Sequence, residues 1–263
     1  KSDEFKGKTA LMQKNKNNEW ETISWDEFGE KIRAVAKALI DLKLEPGEMC
    51  AIFSQNRAEW AISDLGILAT RAVSVPIYAT NSKEEAEYII NDAEVKILFT
   101  GDQAQYDKAK AIIPGNSSLK LIVAFDRETK ITGDDSVYLD DLIEKGRKLN
   151  NLDEFNRRLE NVNPDDMLTL IYTSGTTGNP KGAIHTHRSF MNGIYPSYMR
   201  FPEANTESVS LAILPLSHVF ERMWSYGCMT AGVQIAYCPD PKQFIDVMAH
   251  VKPHFMTSVP RIW

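Results

Sequence analysis

Ten consecutive residues, Thr173-Ser174-Gly175-Thr176-Thr177-Gly178-Asn179-Pro180-Lys181-Gly182, concentrate the groups that a phosphate ligand needs. Glycine at 175, 178 and 182 lets the backbone turn tightly and come close to a ligand that a side chain would hold off. Successive N–H groups in such a turn form a concave anion nest, and the hydroxyls of Thr173, Ser174, Thr176 and Thr177 add neutral donors. Lys181 brings a mobile point charge, suited to oxygens that move during a reaction. The chemistry this predicts is the gripping of a polyphosphate. An ordinary polar turn is the bland alternative, because Gly, Ser, Asn and Pro favour turns anyway; the density of hydroxyls and the placed lysine argue against it. A Walker A loop fails on spacing, since Pro180 stands five residues after Gly175, where that loop requires glycine.

A second candidate is His218, which follows a predicted strand at the start of a predicted helix. Ligand-facing residues gather at such places in α/β sheets, although a surface or core histidine fits the same spacing. Phe220, Met223 and Trp224 lie just beyond and read equally well as the lining of an apolar channel or as core at helical spacing. Arg222 reads as a member of a solvated or structural ion pair. His185 and His187 stand two apart with no third ligand near them in sequence, a weak basis for a metal site. The absence of a GxSxG elbow removes support for a serine hydrolase.

The elements that would position these residues follow from periodicity. The apolar run 167–172 is a buried strand leading into the Gly/Thr-rich loop. Before it, Ser24 and Glu27 fit a capping box for a helix that carries Phe28, Ile32, Val35, Ala36, Leu39 and Ile40 at helical spacing. Strands are predicted over 49–53, 72–78, 95–99 and 119–125, and helices over 59–70, 82–91 and 103–113. The more charged stretch 126–164 reads as a surface insert with short helices over 139–148 and 152–159. After the loop come a helix over 187–199, interrupted near Gly193 and Pro196, and a strand over 208–214. A helix over 219–230, a strand over 233–237, a helix over 241–250 and a strand over 254–258 complete the pattern. Strands alternating with helices of this length predict an α/β fold of largely parallel sheets with flanking helices and right-handed crossovers.

Composition sets bounds. The chain has 263 residues, 43% hydrophobic and 25% charged, enough for a large core in one or two domains. With 36 acidic against 30 basic residues and a net charge of −6, it lacks the basic surplus of a nucleic-acid binder, so no nucleic-acid partner is expected. Cys50, Cys228 and Cys238 are scattered without a CxxC pair, which suits a reducing compartment and gives neither a disulfide framework nor a zinc site. No apolar run approaches the ~18 residues of a membrane span, and the expected location is the cytoplasm. The chain starts at Lys1 and stops at Trp263, and the expectation is a piece of a longer protein.

The stretch Tyr172-Thr173-Ser174-Gly175-Thr176-Thr177-Gly178-Asn179-Pro180-Lys181-Gly182 resembles the phosphate-binding signature of the adenylate-forming (AMP-binding) superfamily. The resemblance extends over most of the chain. The segment 22–28 looks like an early (T/S)-(W/Y)-x-E-(F/L) element, and 69–78 is similar to a (K/R)-A-G-x-x-x-x-P strand with Val73 where glycine is usual. Leu214-Pro215-Leu216-Ser217-His218-Val219-Phe220-Glu221-Arg222 resembles long-chain fatty acyl-CoA synthetases, and Ser258-Val259-Pro260-Arg261 matches a segment of the same group. This implies activation of a long-chain fatty acid with ATP to acyl-adenylate and then, with coenzyme A, to acyl-CoA. Thr173, Ser174, Gly175, Thr176, Thr177, Gly178 and Lys181 would bind the phosphates, and Thr176 would also touch Mg²⁺. His218 and Phe220 would line the acyl pocket, with Lys181 and His218 as the catalytic pair. Amino-acid-activating relatives carry an aspartate near this position to hold an ammonium group, and none stands here, which favours a fatty acid. By resemblance, residues 1–263 are the N-terminal part of the large domain, without its C-terminal half or the small lid domain, and are expected to be inactive alone. Peripheral membrane association and a homo-oligomer are compatible with this reading. The rivals are a fatty acyl-AMP ligase that loads a carrier protein and a non-catalytic nucleotide-binding or interaction fragment.

Overall fold

The structure is a computed structural model that describes residues 1–173 and 180–260, with only the backbone of Ser197 and Tyr198. The chain divides into two compact units. The first comprises residues 1–30, 55–58 and 189–263, the second residues 31–54 and 59–188.

The first unit opens with an antiparallel hairpin, β1 (Thr9–Lys14) and β2 (Trp20–Ser24), which sequence reasoning missed. These strands are short, and β2 is largely exposed, so neither alternation nor a continuous apolar run marks it. Helix α1 (Trp25–Asp41) begins where the capping box predicts, with the Glu27 N–H donating to Ser24 Oγ at 3.3 Å.

In the second unit the chain runs β3 (Met49–Phe53), α2 (Ala58–Ala69), β4 (Val73–Ile77), α3 (Lys83–Asp92), β5 (Ile97–Thr100), α4 (Gln103–Ile112) and β6 (Leu121–Ala124). The foreseen Ser82–Glu85 capping box opens α3, and an unforeseen one between Asp102 and Gln105 opens α4. The charged stretch contributes more than an insert. A three-residue strand β7 (Ser136–Tyr138) pairs parallel with β6. Helices α5 (Leu139–Lys148) and α6 (Leu152–Glu160) both bury side chains. Phe155 packs on Ala36 and Ile40, and the buried Arg158 donates to the Leu44 carbonyl at 2.6 Å while Nε pairs with Glu154 at 2.8 Å. Apart from the buried Arg158 and its partner Glu154, most charges in this stretch lie on solvated faces of docked helices.

Strand β8 (Met167–Thr173) is the strand predicted over 167–172, and β9 (Lys181–Thr186) returns antiparallel to it at the edge of the sheet. The second sheet therefore runs β7-β6-β5-β3-β4-β8-β9, parallel throughout except for that last pair. Its β4-β3-β5-β6-β7 portion is a doubly wound order, with reversal at β3. Its core includes Ala51, Phe53, Val75, Leu98, Ile122 and Tyr172.

The chain continues with α7 (His187–Met199), β10 (Val209–Ala212), α8 (Val219–Thr230), β11 (Gln234–Tyr237), α9 (Phe244–Val251) and β12 (Phe255–Met256). These strands complete the first unit's sheet, ordered β12-β10-β11-β1-β2 and parallel except for the β1–β2 hairpin. Helix α7 is not interrupted at Gly193 or Pro196. Phe190 and Ile194 are buried, and a Cβ at residue 193 would stand 1.6 Å from Met223 Cε, so this glycine admits a neighbouring helix. Burial of that face outweighs the hydrogen bond that proline removes. All three cysteines are buried and free. Burial pushes the Cys228 thiol up to about 12 and raises those of Cys50 and Cys238 as well. Among the described residues, no helix is long and apolar enough to cross a membrane.

Gly146 sets the closest approach in the second unit: a Cβ there would lie 1.9 Å from the Ala34 carbonyl oxygen. In an isolated helix, Gly→Ala stabilises by roughly 1 kcal/mol. Here the clash is with backbone, so Gly146→Ala should destabilise the protein by about 1–3 kcal/mol and lower its melting temperature in a thermal denaturation series.

Candidate functional site

The stretch predicted to grip phosphate links two antiparallel strands, β8 and β9. Thr173, the last residue of β8, is paired with Lys181, the first residue of β9, and both are exposed. Ser174, Gly175, Thr176, Thr177 and Gly178 lie outside the described residues. A Walker A loop opens a helix, whereas this chain returns as a strand, in keeping with the mismatch in spacing. The base of the hairpin is built for rigidity. Tyr172 is buried and its hydroxyl donates to Asp92 Oδ2 at 2.5 Å. Thr169 Oγ1 donates to the Ser74 carbonyl at 2.6 Å, tying β8 to β4. Gly182 has a packing role instead of a ligand-facing one, because a Cβ there would meet Leu170 Cδ1 at 2.7 Å. Thr173 and Lys181 thus emerge side by side from a packed platform, one offering a hydroxyl and the other a positive charge.

His218, in the other unit, is the N-cap of α8, and its Nδ1 accepts the Phe220 N–H at 3.2 Å. With Nδ1 an acceptor, the proton of the neutral ring sits on Nε2, which is left as a donor for a ligand. The histidine is exposed and Phe220 is 48% exposed, so both are accessible to a ligand. The neighbouring residues, whose roles sequence left open, make packing contacts. Trp224 Nε1 donates to Ser210 Oγ at 2.9 Å, and its ring lies edge-on to Phe201 and Phe255. Met223 fills the space over Gly193. Arg222 is fully buried, its guanidinium over the rings of Phe190 and Tyr226, and so is not in a solvated pair. His185 lies on β9 and His187 begins α7, where burial lowers its pKa. Among the described residues, no three His, Cys, Asp or Glu side chains come together as metal ligands.

Two residues that sequence reasoning missed or misread surround the segment leading to His218. Asn56 is buried. Its Nδ2 donates to the carbonyls of Leu214 at 2.7 Å and Ala212 at 3.3 Å, and its Oδ1 accepts the Leu216 N–H at 2.8 Å. Glu221 is also buried. Its Oε2 accepts the Leu214 N–H at 3.2 Å and the Thr257 hydroxyl at 2.5 Å, while Ser225 Oγ donates to Oε1 at 3.4 Å. Asparagine three residues beyond a strand also reads as an ordinary turn residue, and Glu221 reads as a partner for Arg222. Only the tertiary fold separates these meanings.

Desolvation raises the Glu221 carboxyl from its ordinary 4.5 to about 7, against the lowering by Thr257, Leu214 and Ser225. Between those values the folded chain holds a proton that the unfolded chain has released. The stability this contributes is full below about pH 4.5 and is lost as pH rises through 7, a span worth on the order of 3 kcal/mol. Glu221→Gln cannot ionise, so melting curves from pH 4.5 to 8 should decline less for the variant than for the wild type.

The chain matches the family model described as AMP-binding enzyme over residues 1–263. It is 34% identical over 255 residues to the long-chain-fatty-acid–CoA ligase FadD15 of Mycobacterium bovis, covering 97% of this chain and 41% of that one. It is 31% identical over 270 residues to fatty acyl-CoA synthetase A of Dictyostelium discoideum, covering 98% and 39%. The chain thus spans about two fifths of the length of these curated relatives. In fold it is similar to the A-PCP didomain of a carboxylic acid reductase from Segniliparus rugosus, solved in complex with AMP. The TM-score is 0.82 at 20% identity, over 99% of this chain and 41% of that one. With a family match along its whole length and a third of its residues shared with a relative across nearly all of it, the chain belongs to the AMP-binding enzymes.

Proposed function

We propose that the protein activates a long-chain fatty acid with ATP, forming acyl-adenylate and then acyl-CoA. We further propose that this chain is the N-terminal part of its large domain. The observation that carries the reading is the 34% identity to a long-chain-fatty-acid–CoA ligase across 97% of the chain. The hairpin that places Thr173 beside Lys181 adds support. In adenylation the acid's carboxylate attacks the α-phosphorus and pyrophosphate leaves, so the protein's work is positioning and neutralisation of charge. Lys181 and the hydroxyls and N–H groups of the hairpin turn would hold the phosphates of the leaving group. Nε2–H of His218 would meet the acyl carboxyl or the adenylate as a donor, with Phe220 beside the apolar chain. No general base is required, because the acid is ionised at neutral pH.

Mg²⁺ would arrive with the nucleotide and would neutralise part of the phosphate charge. Thr176, assigned to the metal by resemblance, lies outside the described residues. Coenzyme A would take the acyl group in a second step, for which the remaining three fifths of the relatives' length is proposed to be needed.

The test is ATP–pyrophosphate exchange by the protein carrying this chain at its relatives' length, with palmitate, acetate and phenylalanine as acids. Exchange with palmitate alone is expected, and Lys181→Ala should lower it ~10²-fold, the usual loss for one charge-stabilising donor. Exchange driven by acetate or phenylalanine instead would overturn the long-chain assignment. The 263-residue chain alone should form no CoA ester.

A further inference from the structure

The segment between β10 and α8 carries an exposed histidine on backbone with little structure of its own. Pro215 has no N–H to give, and within the segment the His218 N–H donates to the Pro215 carbonyl at 2.9 Å. The peptide groups on either side of Pro215 are instead held by side chains. The Leu214 carbonyl accepts from Asn56 at 2.7 Å, and the Leu214 N–H donates to Glu221 at 3.2 Å. Asn56 also accepts from Leu216 and donates to Ala212, so one amide ties the end of β10 to the segment as far as Leu216. Its orientation is determined, because a flipped amide would set its oxygen against two carbonyl oxygens. Glu221 is in turn fixed by Thr257, next to β12. Neither Asn56 nor Glu221 is exposed to a ligand.

We propose that Asn56 and Glu221 are positioning residues that grip the Leu214 peptide from both ends and so fix where His218 meets the acyl group. This rests on the reading of His218 given above. A segment freed from either grip would re-pair its backbone with water and shift the histidine, and a displacement of about 1 Å in a positioning group can cost up to ~10²-fold. The loss should fall on the acid, because the ATP phosphates are assigned to the hairpin and not to this segment.

The experiment measures apparent KM for palmitate and for ATP by pyrophosphate exchange, on protein of the relatives' length, together with melting temperature. His218→Ala sets the reference: KM for palmitate should rise at least ~10-fold, with KM for ATP within about twofold. Asn56→Ala and Glu221→Ala should reproduce that split. Glu221→Gln should stay close to wild type, since its amide oxygen can accept from Leu214 and Thr257 while its nitrogen donates to Ser225 Oγ. If Asn56→Ala does not fold, the near-isosteric Asn56→Asp, which keeps the acceptor and loses the donors, should show the same split. Folded Asn56 and Glu221 variants with an unchanged palmitate KM, or with both KM values raised equally, would overturn the inference while His218→Ala keeps its effect. No effect from His218→Ala would overturn the reading of the histidine and the inference with it.

Discussion

Backbone withdrawn from water has to find partners, and irregular backbone cannot find them in a ladder. That constraint governs the segments of this protein that matter most. The stretch between β10 and α8 is neither strand nor helix, yet Ile213 and Leu216 are buried, so its peptide groups are claimed by the side chains of Asn56 and Glu221. The same solution recurs elsewhere. Arg158 takes up the carbonyls of Leu44 and Thr70. At each place a buried polar side chain substitutes for secondary structure, and its value lies in the cost of leaving those groups unpaired.

The two proposed ends of the chemistry are built in different ways. The phosphate end is local: two strands adjacent in sequence bring a hydroxyl and a lysine together, with Tyr172, Leu170 and Gly182 bracing them. A chain with net charge −6 can hold a polyanion by such means, because donors at contact distance outweigh a weak overall field. The acyl end is non-local. His218 depends on Asn56, more than 150 residues away, and on Thr257, held at Glu221 across 36 residues.

That difference explains what could be read from the sequence. The hairpin turn was legible because its residues are unusual as a string. Alternating elements gave the α/β class, and two capping boxes fixed helix starts at Ser24 and Ser82. The β1–β2 hairpin and β7 escaped because a three-residue strand or an exposed one carries almost no periodic signal. β9 escaped because Gly182 and the exposed Ala183 and Ile184 do not resemble a buried strand. The supposed break in α7 followed the local cost of Gly193 and Pro196, which burial of Phe190 and Ile194 overrides. Asn56 and Glu221 show the limit most plainly. Their residue types have several ordinary uses, and the partners that select one of them are set by the fold.

The buried thiols have a practical consequence. Cys50, Cys228 and Cys238 are all shielded and held as neutral thiols by desolvation, so the native chain offers alkylating reagents and disulfide exchange almost no thiolate. A cysteine introduced on the surface would therefore be the preferred point of attachment for a fluorophore or spin label. Distances across the hairpin or along α8 could then be followed on the otherwise unaltered chain. Conversely, labelling of the native cysteines would report that the sheets in which Cys50 and Cys238 are packed had opened.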